Sequence, residues 1–194
     1  MPPRSSTAST TPKRAAVQAA VLTATEQLLG EGASYADLNI ERIATRAGIS
    51  RTAFYFYFAD KRELLMRLSE EVTDELYAQA DIWYSGSGDP EAEIREALAN
   101  IAQLYQLHGP LLRAIVEVST YDEEVATFWR ALIGRFVEAT EKRVESRATA
   151  FALVWMTERT FYQQLVQGRP LDPGELVSAL AGIWERAAKD APRR

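Results

Sequence analysis

The sequence predicts an all-α protein, and three observations carry that prediction. Apolar residues recur every three or four positions along most of the chain. No stretch alternates apolar and polar residues with the period of two that a half-buried strand requires. Clusters of glycine, proline and short polar residues fall between the periodic segments, where helices start and stop. The pattern divides into about nine helices.

Residues 1–11 are rich in Ser, Thr and Pro and are expected to form a disordered arm. From Lys13 a first helix carries Val17, Val21, Ala24 and Leu28 inward, and Gly30-Glu31-Gly32 ends it. Asn39 can cap a second helix, with Ile40, Ile43 and Ala44 on one face. Gly48 tolerates the positive φ of a tight turn. Ser50 can cap a third helix, whose first exposed side chains are Arg51, Thr52 and Ala53. Phe54 and Phe58, four apart, read as core with Ile49, and Phe56 is divided between core and surface. A long fourth helix starts near Ala59–Asp60, buries Leu64, Leu65, Leu68, Val72 and Leu76, and reaches about Trp83. Ser85-Gly86-Ser87-Gly88 breaks it.

Asp89-Pro90 then reads as an N-cap with proline at the first helical position. Ile94, Leu98, Ile101 and Tyr105 carry that helix to His108-Gly109. Pro110 opens a short apolar helix through Val118. The next helix begins near Asp122, with Val125, Phe128, Trp129, Leu132, Ile133, Phe136 and Val137 inward. Between Gly134 and Gly168 there is no Gly, Pro or Asn. One unbroken helix there would be about 45 residues and about 68 Å long, too long for a domain of this size. A break is expected in the least apolar span, Lys142–Thr149. Asp172-Pro173-Gly174-Glu175 resembles a capping box and opens the last helix, with Leu176, Leu180, Ile183, Trp184 and Ala187.

Composition excludes several classes of function. The chain has 194 residues, 47% of them hydrophobic, enough for a packed core. No apolar run approaches the roughly 20 residues that cross a bilayer. The N-terminus has no apolar h-region, so a cytoplasmic location is expected. There is no cysteine and one histidine, His108, which excludes disulfides, thiolate chemistry and clustered-histidine metal sites. No cofactor is expected. Net charge is −5, unevenly spread: residues 1–68 hold nine basic and six acidic side chains, leaving +3 there and −8 over the remainder. A mildly basic end on an acidic body suits a protein that meets phosphates with one face.

Two short helices joined by a glycine turn form a helix-turn-helix, whose second helix fits the major groove of DNA. The order Ile43-Ala44-x-x-Ala47-Gly48-Ile49-Ser50-x-x-Ala53-Phe54-Tyr55-x-Tyr57-Phe58-x-x-Lys61-x-x-Leu64 resembles the signature of the tetracycline-repressor family of bacterial regulators. The resemblance implies a DNA-binding domain over residues 12–60 and a ligand-binding and dimerisation domain over 61–194. Arg51 and Thr52, in the first turn of the recognition helix, can reach base edges, and arginine there can bond guanine in a bidentate way. Ser50 and Asn39 are short polar groups at helix N-termini, where phosphates are also favoured. Lys61 is similar to the family's phosphate-gripping lysine. Tyr55 and Tyr57 resemble its contacts to the DNA backbone. Arg46 is a further phosphate candidate, and Arg4, Lys13 and Arg14 are candidates for an arm that tracks a groove.

Residues 83–184 hold all four tryptophans. Each reads singly as core. Together, large rings with few polar groups suit a slot for an apolar ligand. Phe128-Trp129-x-x-x-Ile133-x-x-Phe136-x-x-x-Thr140 and Trp155-Met156-Thr157-Glu158-Arg159-Thr160-Phe161 are similar to the mycobacterial ethionamide-resistance subgroup of the same family, as is Ile183-Trp184. That resemblance implies a hydrophobic tunnel walled by Ile101, Tyr105, Trp129, Ile133, Phe136, Thr140, Val154, Thr157 and Trp184. Val154 and Thr157 stand where the subgroup has asparagines, leaving Thr157, Thr140 and Tyr105 as polar handles.

The family dimerises through its last two helices, here Ala150–Gly168 and Glu175–Ala188. The expectation is a homodimeric repressor, released from a double-stranded DNA operator by a hydrophobic small molecule. The alternative is a regulator of the same fold that activates, or acts without a ligand, and a fully packed body would favour it. An enzyme built on Ser119, His108 and Asp122 is disfavoured, because their spacing promises no triad geometry.

Overall fold

The helices form where their caps and apolar stripes place them. The computed structural model describes residues 12–168 and 171–189; the N-terminal arm lies outside them. Among the described residues there are nine α-helices: α1 (Pro12–Gly30), α2 (Ile40–Arg46), α3 (Arg51–Phe54), α4 (Lys61–Tyr84), α5 (Pro90–Leu107), α6 (Gly109–Val118), α7 (Glu123–Val144), α8 (Arg147–Phe161) and α9 (Pro173–Lys189). A π-helical turn, Tyr162–Val166, extends α8. No helix among these residues is long and apolar enough to cross a membrane.

The chain divides into two units, the first ending at Leu64 and the second beginning at Leu65. In the first, α1 packs on α2 and α2 on α3. Val21, Leu28, Leu38, Ile43, Phe54 and Phe58 are buried there, and the two phenylalanine rings stack with centroids 5.4 Å apart. Ile49 is half-buried. In the second unit α7 packs along α8 and α5 along α9, while α6 lies against the π-turn. The Arg113 guanidinium donates to the Val166 carbonyl there, satisfying a backbone group near the end of the α8 extension.

The break expected within Lys142–Thr149 is made without glycine. Glu145 adopts the left-handed conformation with φ 53°, and the Ser146 hydroxyl then caps α8 by accepting from the Thr149 N–H at 3.3 Å. Two residues, Glu145 and Ser146, separate the helices, so the turn is shorter than composition alone would suggest.

Candidate DNA interface and ligand cavity

The turn between α2 and α3 is built by local hydrogen bonds. The Asn39 side chain accepts from the Arg42 N–H at 2.8 Å and starts α2. Gly48, with φ 72°, ends it. Its N–H reaches the Thr45 carbonyl at 3.1 Å, and the Ile49 N–H reaches the Ala44 carbonyl at 3.0 Å. This is the paired C-terminal closure that a left-handed residue permits. The Ser50 hydroxyl accepts from the Ala53 N–H at 3.1 Å and starts α3.

Of the nine side chains assigned to DNA from the sequence, Arg51, Thr52 and Tyr55 stand exposed, and the Tyr55 ring meets Phe54 edge to face with centroids 5.7 Å apart. Asn39 and Ser50 are exposed with their oxygens engaged as caps. Ala53 is half-buried, which corrects the expectation that it is fully exposed. Tyr57 is half-buried beneath the Arg14 guanidinium, 5.5 Å from its ring centroid. Phe56 is 71% exposed, so the residue divided between core and surface belongs to the surface. Arg4 lies outside the described residues, and Lys13 is exposed.

Two cations assigned to phosphates are engaged by partners within the unit. Arg46 grips Glu31 with both terminal nitrogens, at 2.7 and 2.9 Å. That hydrogen bonding lowers the Glu31 carboxyl below its usual range and raises Arg46. Lys61 Nζ donates to the carbonyls of Tyr35 at 2.7 Å, Ala36 at 3.3 Å and Leu38, and lies 4.8 Å above the Tyr35 ring. The Tyr35 hydroxyl in turn donates to the Lys61 carbonyl. Burial pulls the ammonium below the usual lysine range, and Asp37 pulls it partly back. Lys61 thus ties the α1–α2 connection to the start of α4, and its three donors have three acceptors.

The second unit holds a partly open, apolar cavity of about 70 Å³. Seven of the nine tunnel residues read from the sequence line it: Ile101, Tyr105, Ile133, Phe136, Val154, Thr157 and Trp184. Trp129 and Thr140 do not line it, a correction with two causes. Trp129 is buried on α7 away from the void. Thr140 is fully buried, with its hydroxyl 3.1 Å from that of Tyr84, which takes the wall position. Thr157 lines the void, but its Oγ1 accepts from Trp184 Nε1 at 2.9 Å. Trp184 meets Trp83 edge to face, with centroids 5.6 Å apart.

Glu158 is the wall residue that sequence reasoning missed. Its side chain is 3% exposed, and neither carboxyl oxygen has a hydrogen-bond partner. Burial raises its pKa, and the nearby Arg159, 3.6 Å away, lowers it in part. A signal was present: Ala150, Val154, Thr157, Glu158 and Phe161 share one helical stripe, and all five are buried. Trp83 Nε1, also at the wall, is likewise buried without a hydrogen bond. The Tyr105 hydroxyl is held neutral by burial and by the Glu158 carboxylate.

The imagined triad is dispersed over separate structural tasks. Ser119 Oγ donates to the Val116 carbonyl at 2.8 Å, Asp122 caps α7, and His108 Nε2 lies 3.3 Å from Glu75. The described residues contain no group of three His, Cys, Asp or Glu side chains able to hold a metal.

A short exposed helix set by two caps and a glycine turn has the pattern of a helix-turn-helix, and the second unit holds an apolar cavity. Residues 21–68 match the family described as "Bacterial regulatory proteins, tetR family". Over those residues the chain is similar to that family. It is 29% identical to the HTH-type transcriptional regulator EthR of Mycolicibacterium smegmatis, over 86% of this chain and 83% of that one. It is 25% identical to EthR of Mycobacterium tuberculosis, over 85% and 83%. Among solved structures, the TetR family repressor AlkX of a Dietzia species matches with a TM-score of 0.61 at 19% identity, covering 90% of this chain and 97% of that one.

Proposed function

We propose that the protein is a cytoplasmic homodimeric repressor that reads its operator with Arg51, Thr52 and Tyr55 and is released by an apolar molecule bound in the second unit. The observation that carries the ligand is the cavity. A packed body would favour a regulator without an effector, whereas aromatic walls around about 70 Å³ of empty space support one with an effector. Asn39 and Ser50 hold the helices of the reading unit, and their N-terminal N–H groups remain available to phosphates. Arg46, Lys61 and Tyr57 act by position, through Glu31, the Tyr35–Leu38 carbonyls and Arg14. The half-exposed face of α8 supports the dimer: Phe151 is 56% exposed, packed on Trp155 with centroids 6.1 Å apart, and Ile183 of α9 is exposed as well. A protein that kept these residues in water would expose an apolar patch without use. Helix α4 belongs by sequence to both units and is the natural lever. A ligand acts through it only as far as its affinities for the two states differ.

The test uses DNA flanking the coding gene and the dimer. Arg51→Ala is expected to weaken binding to the specific site by about 1–3 kcal/mol, with a smaller loss on unrelated DNA. Equal losses on both would make Arg51 a phosphate contact. An effector that binds the free protein and the operator complex with equal affinity would refute the release mechanism.

A further inference from the structure

The cavity has the chemistry of a site for a particular class of molecule. Its wall is hydrocarbon and ring, with Leu76, Leu98 and Val154 among the aliphatic members. The hydroxyls of Thr157 and of Tyr84 already have partners, Trp184 and Thr140. Besides the Tyr105 hydroxyl and the buried Trp83 Nε1, the wall holds one carboxyl group. Both oxygens of Glu158 are buried and accept no hydrogen bond. The cation beside it, Arg159, has a half-exposed side chain, approaches no closer than 3.6 Å, and also lies 5.2 Å over the Tyr162 ring. A buried carboxylate lacking donors is unfavourable in the empty protein, and the penalty is relieved by protonation or by a group that brings hydrogen-bond donors or positive charge. The rings of Trp83, Tyr84, Tyr105, Phe136 and Trp184 around the void present faces that attract cations.

We infer that the effector is an apolar amine: its protonated nitrogen donates to the Glu158 carboxylate, and its hydrocarbon part fills the space between Tyr105, Phe136 and Trp184. The inference rests on the ligand-binding reading above and adds the class of ligand. Charge gives the site its selectivity, since a neutral alcohol of the same shape brings a single donor and no positive charge to the carboxylate. Arg159 offsets the effect of burial only in part and is too distant to satisfy the carboxyl.

The experiment compares n-octylamine with n-octanol, at pH 7, on the full-length protein and on Glu158→Gln. Binding is read by quenching of tryptophan fluorescence and by calorimetry, and operator release by fluorescence anisotropy of labelled DNA. The amine is expected to bind the native protein at least tenfold more tightly than the alcohol. Glu158→Gln should lose that preference while still binding the alcohol, and its circular dichroism spectrum reports that the variant is folded. Equal affinity of amine and alcohol for the native protein overturns the inference, whether or not the variant folds, as does undiminished amine binding to a folded Glu158→Gln. Amine binding that depends on Glu158 but leaves the operator complex intact upholds the inference and refutes the release mechanism. Release by octanol with no role for Glu158 does the reverse.

Discussion

Replacing Thr157 with Val isolates one buried hydrogen bond. The two side chains have nearly the same shape, so the wall of the cavity keeps its outline. The substitution removes the acceptor of the Trp184 Nε1 hydrogen bond, 2.9 Å long, between two side chains that are each 7% exposed. The indole N–H is then left in apolar surroundings between α8 and α9. An unsatisfied buried donor costs about 1–3 kcal/mol. The extra methyl group offsets this by at most about 0.8 kcal/mol. The net expectation is a loss of about 1–2 kcal/mol. For a chain of this size that lowers the melting temperature by roughly 2–8 °C. Circular dichroism at 222 nm measures it. Trp184→Phe, which deletes the donor, closes a double-mutant cycle with Thr157→Val. The double variant should be more stable than additivity predicts, by at least about 0.5 kcal/mol. If Thr157→Val melts with the native protein, or the cycle is additive, the hydrogen bond does not hold α9 to α8.

Lys61→Met should destabilise the DNA-reading unit by about 2–4 kcal/mol, because three carbonyls lose a charged donor and only the exposed one at Ala36 recovers water easily; hydrogen exchange of the α1–α2 connection measures it. If Lys61 instead grips a phosphate, its removal will leave exchange unchanged and reduce the salt slope of operator binding by about 1. Glu158→Gln should be more stable than the native protein at pH 7–8 and lose that advantage below about pH 4.5. The sign follows from the carboxyl holding its proton more tightly when folded than unfolded: its contribution is fully present below the unfolded value and is lost as pH rises through the folded one. Arg159 and Tyr105 are the ionisable neighbours that modulate it. Melts across pH 4–8 decide, and a constant difference between the proteins would refute the assignment.

The parts legible in the sequence are those fixed by contacts within a few residues. Asn39 and Ser50 cap by accepting from N–H groups three residues on, and Gly48 closes α2 onto Ala44 and Thr45. The same holds for Asp89, Asp122 and Asp172, each of which accepts from N–H groups two or three residues on. The break before α8 was legible only as a span, because length and polarity demand a turn somewhere in Lys142–Thr149 while nothing marks Glu145 as its left-handed residue. The π-turn after Phe161 has no local signature at all.

Polar chemistry was the least legible part, and the reason is distance along the chain. Arg46 meets Glu31 15 residues away, Lys61 meets the Tyr35–Leu38 carbonyls 23 to 26 residues away, and Thr157 meets Trp184 27 residues away. A charged or hydroxyl side chain read by itself is assigned to solvent or ligand, yet these three have partners within the protein. Glu158 is the converse case. Beside Arg159 it reads as half of a solvated pair, and only its place on the stripe of Val154, Thr157 and Phe161 turns it inward. A carboxylate on an otherwise apolar stripe is unfavourable to folding. Its presence there is a reason to look for what neutralises it, and the apolar cavity that Glu158 lines is a place where a neutralising group can approach.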